Sequence, residues 1–93
     1  MNFARDVLKA AANLQKHGVS FGEAETVFRD PLAVTVDDSW HSEQEPREII
    51  IGHSYVGRLL FVCFVERTEA VRLISAREAT PQERKKYENN PLY

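Results

Sequence analysis

Cysteine, glycine and proline are all scarce in this chain, with one, four and four copies in 93 residues. A single cysteine cannot close an internal disulfide or build a thiolate zinc cage, and Cys63 lies inside the most apolar run, where it reads as a small buried hydrophobe. Four glycines are too few for a phosphate-cradling loop, and no P-loop, GxGxxG or GxSxG occurs. Nucleotide-dependent enzymes and serine hydrolases of the usual kinds are thereby excluded. The longest apolar run, LLFVCFV at 59–65, falls far short of the roughly 20 residues of a membrane span. The first residues lack an apolar core followed by a small-residue cleavage site, so the expected location is the cytoplasm, with no membrane partner. His17, His41 and His53 share no local ligand spacing, which leaves no expected metal site and no cofactor.

What is present suits one folded domain over 1–93, with 43% apolar and 28% charged residues. The formal charge of −2 conceals a division. Residues 1–66 hold six Lys or Arg against ten Asp or Glu, whereas residues 67–93 hold six against four. Ala4, Leu8, Ala11 and Leu14 recur at helical spacing up to Gly18 and predict an amphipathic helix from about residue 4 to 17. Ser20 with Glu23 reads as a capping box for a second short helix, its face formed by Phe21, Ala24, Val27 and Phe28, ending at Asp30-Pro31. The period then changes to that of strands over 33–36, 47–53, 59–65 and 70–75. Their short connections predict an antiparallel meander of three to four strands, with 59–65 central and covered on both faces. Residues 37–46 read as an acidic loop. Thr80, Pro81 and Glu83 open a last helix over about 81–88, whose only large apolar side chain is Tyr87, so loose docking is expected. The expected fold class is α+β: two N-terminal helices, the meander and a short C-terminal helix.

The cationic side chains gather late in the chain. Arg67 falls in the turn before the last strand, Arg72 in that strand, Arg77 just past its expected end, and Arg84, Lys85 and Lys86 on the helix that follows. Guanidinium forks match phosphate oxygens through paired charge-assisted hydrogen bonds. Under strict alternation, however, Arg72 and Arg77 point to opposite faces of the sheet, and only a bend after Ser75 or Ala76 would unite them. Composition alone favours solvated charges paired with Glu69, Glu78, Glu83 and Glu88. His53 and His41 can exchange protons near neutrality, and Tyr87 can stack, donate its hydroxyl or anchor its helix.

Several stretches in order resemble one family: NLQKHGVSF at 13–21, FRDPLA at 28–33, HSEQEPR at 41–47, GRLL at 57–60, ER at 66–67 and RLISAREATPQERKKY at 72–87. They are similar to signatures of the BrnT-type toxins of bacterial type II toxin-antitoxin systems, small ribonucleases with a RelE-like fold. The resemblance implies a metal-independent endoribonuclease that cleaves RNA, arrests translation and is neutralised by a cognate antitoxin with a ribbon-helix-helix domain. It implies contact with DNA only through that antitoxin. Lys16, His17, His41, Glu43, Arg67, Arg72, Ser75, Arg77, Glu83 and Tyr87 are motif positions. The resemblance and the chemistry of the side chains together make Arg72 and Arg77 the expected transition-state ligands, Tyr87 and His53, the latter without a counterpart in the motifs, the proton-transfer candidates, and Arg67, Arg84, Lys85, Lys86 and Ser75 the RNA-binding residues. Arg5 and Val7 stand where the family opens with Trp and Pro. Phe64 stands where a His is common, which motivates a rival expectation: a non-catalytic partner-binding module of a repressor complex.

Overall fold

A computed structural model describes residues 1–37 and 45–90. His41 and Glu43, and most of the acidic loop, lie outside the described residues. The elements are β1 (Phe3–Ala4), α1 (Val7–His17), α2 (Phe21–Thr26) continued by a 3-10 turn (Val27–Arg29), β2 (Val34–Asp37), β3 (Glu48–His53), β4 (Leu59–Glu66), β5 (Val71–Glu78) and α3 (Pro81–Glu88). Among the described residues no helix is long and apolar enough to cross a membrane.

The α+β expectation holds, with a correction to the sheet. Strands β2 to β5 form the antiparallel meander, but β1 adds a parallel edge to β5, giving five strands in the order β1-β5-β4-β3-β2. Two residues are too short to leave a periodic signal. Strand β4 is central, and its consecutive apolar residues serve two cores, as expected. On one face Leu60, Val62 and Phe64 pack with Val19, Phe21, Ala24 and Val27, and on the other Leu59 and Phe61 pack with Ile49, Ile51 and Tyr87. Phe64 belongs to the first core, edge-on to Phe28 at 5.0 Å, and Phe28 in turn meets Phe3 of β1 at 5.2 Å. Aromatic packing thus docks the short parallel strand.

Helix α1 begins later than periodicity predicts and turns the other way. Asp6 caps its start by accepting from the Leu8 and Lys9 amides, and Gly18, at φ 69°, closes its end. The stripe expected to be buried faces outward, with Leu8 81% and Leu14 52% exposed. The buried residue is Asn13. Its amide donates to the carbonyls of Val19 (2.9 Å) and Ala76 (2.8 Å), while its Oδ1 accepts from the Ala76 N–H at 3.0 Å. One side chain therefore substitutes for a neighbouring strand where β5 has outrun β1. At 100° per residue, Val7, Leu8, Ala11 and Leu14 necessarily lie on the side away from Asn13. Leaving the buried Ala76 groups unpaired would cost more than burying two leucines would recover.

The capping boxes also differ from each other. In α3 both halves form: Thr80 accepts from the Glu83 amide and Glu83 accepts from the Thr80 amide. In α2 only Ser20 fulfils its half. The Glu23 carboxylate turns inward and accepts from Ser54 Oγ at 2.7 Å and from the Arg58 guanidinium, which ties α2 to the β3–β4 turn. Arg5, at the position of the family's Trp, hydrogen-bonds Glu25 and ties the N-terminal segment to α2.

Candidate functional site

A single irregularity in β5 arranges the cationic residues. Phe61, Val62 and Cys63 face Arg77, Ala76 and Ser75, but Phe64 and Val65 face Leu73 and Arg72, so Ile74 has no partner across the ladder. This is a β-bulge, and the extra residue reverses the alternation beyond it. Arg72, Ser75 and Arg77 consequently share one face of the sheet, opposite the face that carries Leu73, Ala76 and Phe64. The conflict of parity is resolved one residue ahead of Ser75, earlier than the bend expected after Ser75 or Ala76.

On that face lies an open cavity of about 220 Å³, lined by Lys9, Glu45, Arg47, Val65, Arg67, Arg72 and Ile74. Its cations come from four separate parts of the fold: α1, the residue ahead of β3, the β4–β5 turn and β5 itself. Val65 and the bulged Ile74 supply an apolar floor. Arg67 forms a fork on Glu45, with Nε to Oε2 at 2.9 Å and Nη2 to Oε1 at 2.6 Å. These hydrogen bonds, with added attraction from Arg67 and Arg72, hold the Glu45 carboxyl below its ordinary range despite some desolvation. Arg72 approaches Asp6 of the α1 cap at 3.8 Å. A second open groove adjoins the cavity between α1 and β5, sharing Lys9 and Ile74 and adding Lys16, His17 and Ser75.

Arg77 lies on the same face about 15 Å along the strand from Arg72 at a rise of roughly 3.3 Å per residue. Its guanidinium stacks 4.2 Å over the Phe61 ring and donates twice to Glu83 at 2.8 Å. Burial acts to raise the Glu83 pKa, but the Arg77 hydrogen bonds and the Thr80 amide outweigh it, so the group stays below its ordinary value. A planar carboxylate held by the fork of a stacked arginine has the geometry of a phosphate contact.

Tyr87 and His53 meet elsewhere. Their rings pack edge to face at 5.0 Å, the Tyr87 hydroxyl donates to Asp30 Oδ2 at 2.7 Å, and His53 Nδ1 lies 3.8 Å from the same oxygen. Asp30 Oδ2 also accepts from the His53 amide and Oδ1 from the Leu32 amide. Tyr87 is only 3% exposed, and together with the Asn90 side chain bonded to the Leu32 carbonyl it pins α3 to the sheet. The docking of α3 is thus firmer than its sparse apolar surface predicts, because polar contacts replace the missing stripe. His53 pairs with Leu59 and Arg72 pairs with Val65, six residues further along β4. That separation is about 20 Å, so His53 and Arg72 cannot reach one phosphate. Arg84, Lys85 and Lys86 are exposed on α3.

Sequence reasoning named Arg67, Arg72 and Ser75 but missed Lys9, Glu45, Arg47 and Ile74 as neighbours. Lys9 stands in the acidic half of the chain, and nothing in its local pattern ties it to β5. Glu45 and Arg47 belong to a motif already visible, but their side of the cavity depends on how β3 begins.

Residues 6–83 match the family model described as the ribonuclease toxin BrnT of type II toxin-antitoxin systems. Among solved structures, the chain is similar to the crystal structure of the Brucella abortus ribonuclease toxin, BrnT, with 25% sequence identity and a TM-score of 0.66, covering 86% of this chain and 97% of that one. No curated protein matches.

Proposed function

The chain belongs to the BrnT family of ribonuclease toxins of type II toxin-antitoxin systems, and we propose that it is a metal-independent endoribonuclease that inhibits translation by cutting RNA at the cavity around Arg67 and Arg72. The observation that carries the reading is the convergence of Lys9, Arg47, Arg67 and Arg72 on one open cavity with an apolar floor. In cleavage by the ribose 2′-hydroxyl, negative charge grows on the oxygens of the attacked phosphorus, and fixed cations around it lower the barrier. Arg72 and Arg67 are the ligands of that phosphate. Val65 and Ile74 offer apolar surface to the adjoining sugar or base, while Ser75 and Lys16 in the adjoining groove carry the flanking strand. Arg77, about 15 Å away, serves a neighbouring phosphate and exchanges its Glu83 partner for it. Arg84, Lys85 and Lys86 add long-range attraction for the polyanion. Tyr87 and His53 shape the α3 end and stand outside the reacting centre.

The neutralising partner is a cognate ribbon-helix-helix antitoxin, through which the complex touches DNA. The rival reading, a non-catalytic partner-binding module, drew on Phe64. That side chain packs in the core between β4 and α2, on the face away from the cavity, so its identity bears on packing and leaves the cavity unchanged.

The test is incubation of the purified chain with a single-stranded RNA in excess EDTA, beside Arg72→Ala and Lys85→Ala. Cleavage by the parent and by Lys85→Ala, reduced at least 10-fold in Arg72→Ala, is the expected result. Equal cleavage by parent and Arg72→Ala would refute the location of the site. No cleavage by any of them, on free RNA or on translating ribosomes, would favour the binding module.

A further inference from the structure

Cleavage through a 2′-hydroxyl needs a group to accept its proton, and the described lining of the cavity includes such a group. Lys9, Arg47, Arg67 and Arg72 are cationic donors, and Val65 and Ile74 are apolar, so among the described residues lining the cavity Glu45 is the one carboxylate. Resting on the ribonuclease reading, we infer that Glu45 is the general base of the reaction, held in place by the fork of Arg67.

The geometry favours this role over a simple surface ion pair. Arg67 approaches through Nε and Nη2, one to each carboxylate oxygen, and fixes the plane of the carboxylate. Each oxygen carries a second lone pair, so the carboxylate keeps acceptor capacity beyond the two Arg67 hydrogen bonds. The fork also ensures that the phosphate ligand and the base move as a unit, because Arg67 can donate through Nη1 to a phosphoryl oxygen while it keeps Glu45 oriented. The step balances. Glu45 takes the 2′-hydroxyl proton, the 2′-oxygen bonds to phosphorus, the bond from phosphorus to the 5′-oxygen breaks, and that oxygen takes a proton from solvent. The products are a 2′,3′-cyclic phosphate and a 5′-hydroxyl, without an oxidant, a cofactor or net consumption of water.

Among the described residues, the charged groups that line the cavity with Glu45 are Lys9 from α1, Arg47 ahead of β3, Arg67 from the β4–β5 turn and Arg72 from β5. All four are cationic, and the carboxylate is held ionised to below the ordinary carboxylate range. The acid limb of the pH-rate profile therefore lies below that range, since only the ionised form accepts a proton.

A different role for the same contact makes the opposite prediction. If Glu45 merely occupied the phosphate fork of Arg67 in the resting protein, removing its charge would help RNA bind and speed cleavage. Single-turnover cleavage of a short single-stranded RNA in EDTA, from acid to neutral pH, separates the two for the parent, Glu45→Gln and Glu45→Asp. Glu45 is exposed, and circular dichroism melts verify that the variants fold. The expected result is a loss of about 10²- to 10⁴-fold in rate for Glu45→Gln with RNA affinity equal or higher, loss of the acid limb, and partial recovery in Glu45→Asp. Glu45→Gln cleaving as fast as the parent or faster, or keeping the acid limb, would overturn the assignment and leave the ribonuclease reading standing. A parent that neither binds nor cleaves RNA would remove that reading, and this assignment with it.

Discussion

Truncation of Asn13 should unfasten α1 from the sheet. The side chain makes three hydrogen bonds, at 2.8 to 3.0 Å, to the backbone of Val19 and Ala76, two residues with 0% exposure. Asn13→Ala strands one amide N–H and two carbonyl oxygens, at about 1 to 3 kcal/mol for each group left unsatisfied. The full sum overstates the loss, because Asn13 also lines the open groove between α1 and β5, through which water can reach part of the vacated space. About 2 to 4 kcal/mol is the expected cost, a large share of the ~5 to 15 kcal/mol available to a small domain. With a urea slope of about 1 kcal/mol per M for a chain of this size, the unfolding midpoint should fall by roughly 2 to 4 M, followed by circular dichroism. Asn13→Asp keeps the acceptor but loses both donors and should also be destabilised. A midpoint shift below about 0.5 M for Asn13→Ala would refute the claim that this amide stands in for a missing strand.

The Glu23–Arg58 contact gives the fold an acid-sensitive element. Hydrogen bonds from Arg58 lower the Glu23 pKa, burial opposes them, and the Ser54 hydroxyl assists. A depressed folded-state pKa contributes stability that is present above the unfolded value and lost as pH falls through the folded one. Urea midpoints measured from neutral to acid pH should therefore fall more steeply for the parent than for Glu23→Gln, which starts about 2 kcal/mol lower. Parallel curves would count against the contact. Tyr87→Phe removes one hydrogen bond to Asp30 and should cost about 1 kcal/mol while leaving RNA cleavage within about twofold of the parent. A loss of cleavage beyond 10-fold in a folded Tyr87→Phe would return Tyr87 to the reacting centre.

Much of the fold is legible in the residue order, because local signals act over a few positions. The central apolar strand 59–65, the short turns of the meander and the Thr80-Pro81-Glu83 helix start each carry a pattern that one element alone can satisfy. The family is likewise legible, since its signatures are runs of adjacent residues. The second capping box was less secure because Glu23 had two satisfactory partners: an amide three residues back, or an arginine 35 residues ahead. The longer contact prevailed, since an ionised guanidinium binds a buried carboxylate more strongly than a backbone amide does.

The sequence by itself determined the α+β class, the cationic character of the final third and membership of a toxin family. The tertiary structure decided which cations lie together. A bulge at Ile74 put Arg72 and Arg77 on one face, and no residue of that strand announces it, because a bulge is a property of two strands in register. The Asn13 contact turned the apolar stripe of α1 outward and brought Lys9 to the cavity. Both outcomes rest on pairing backbone groups more than 60 positions from Asn13, or across a ladder, where hydrogen bonds buried from water outrank the local preference of a helix or strand for its own apolar face.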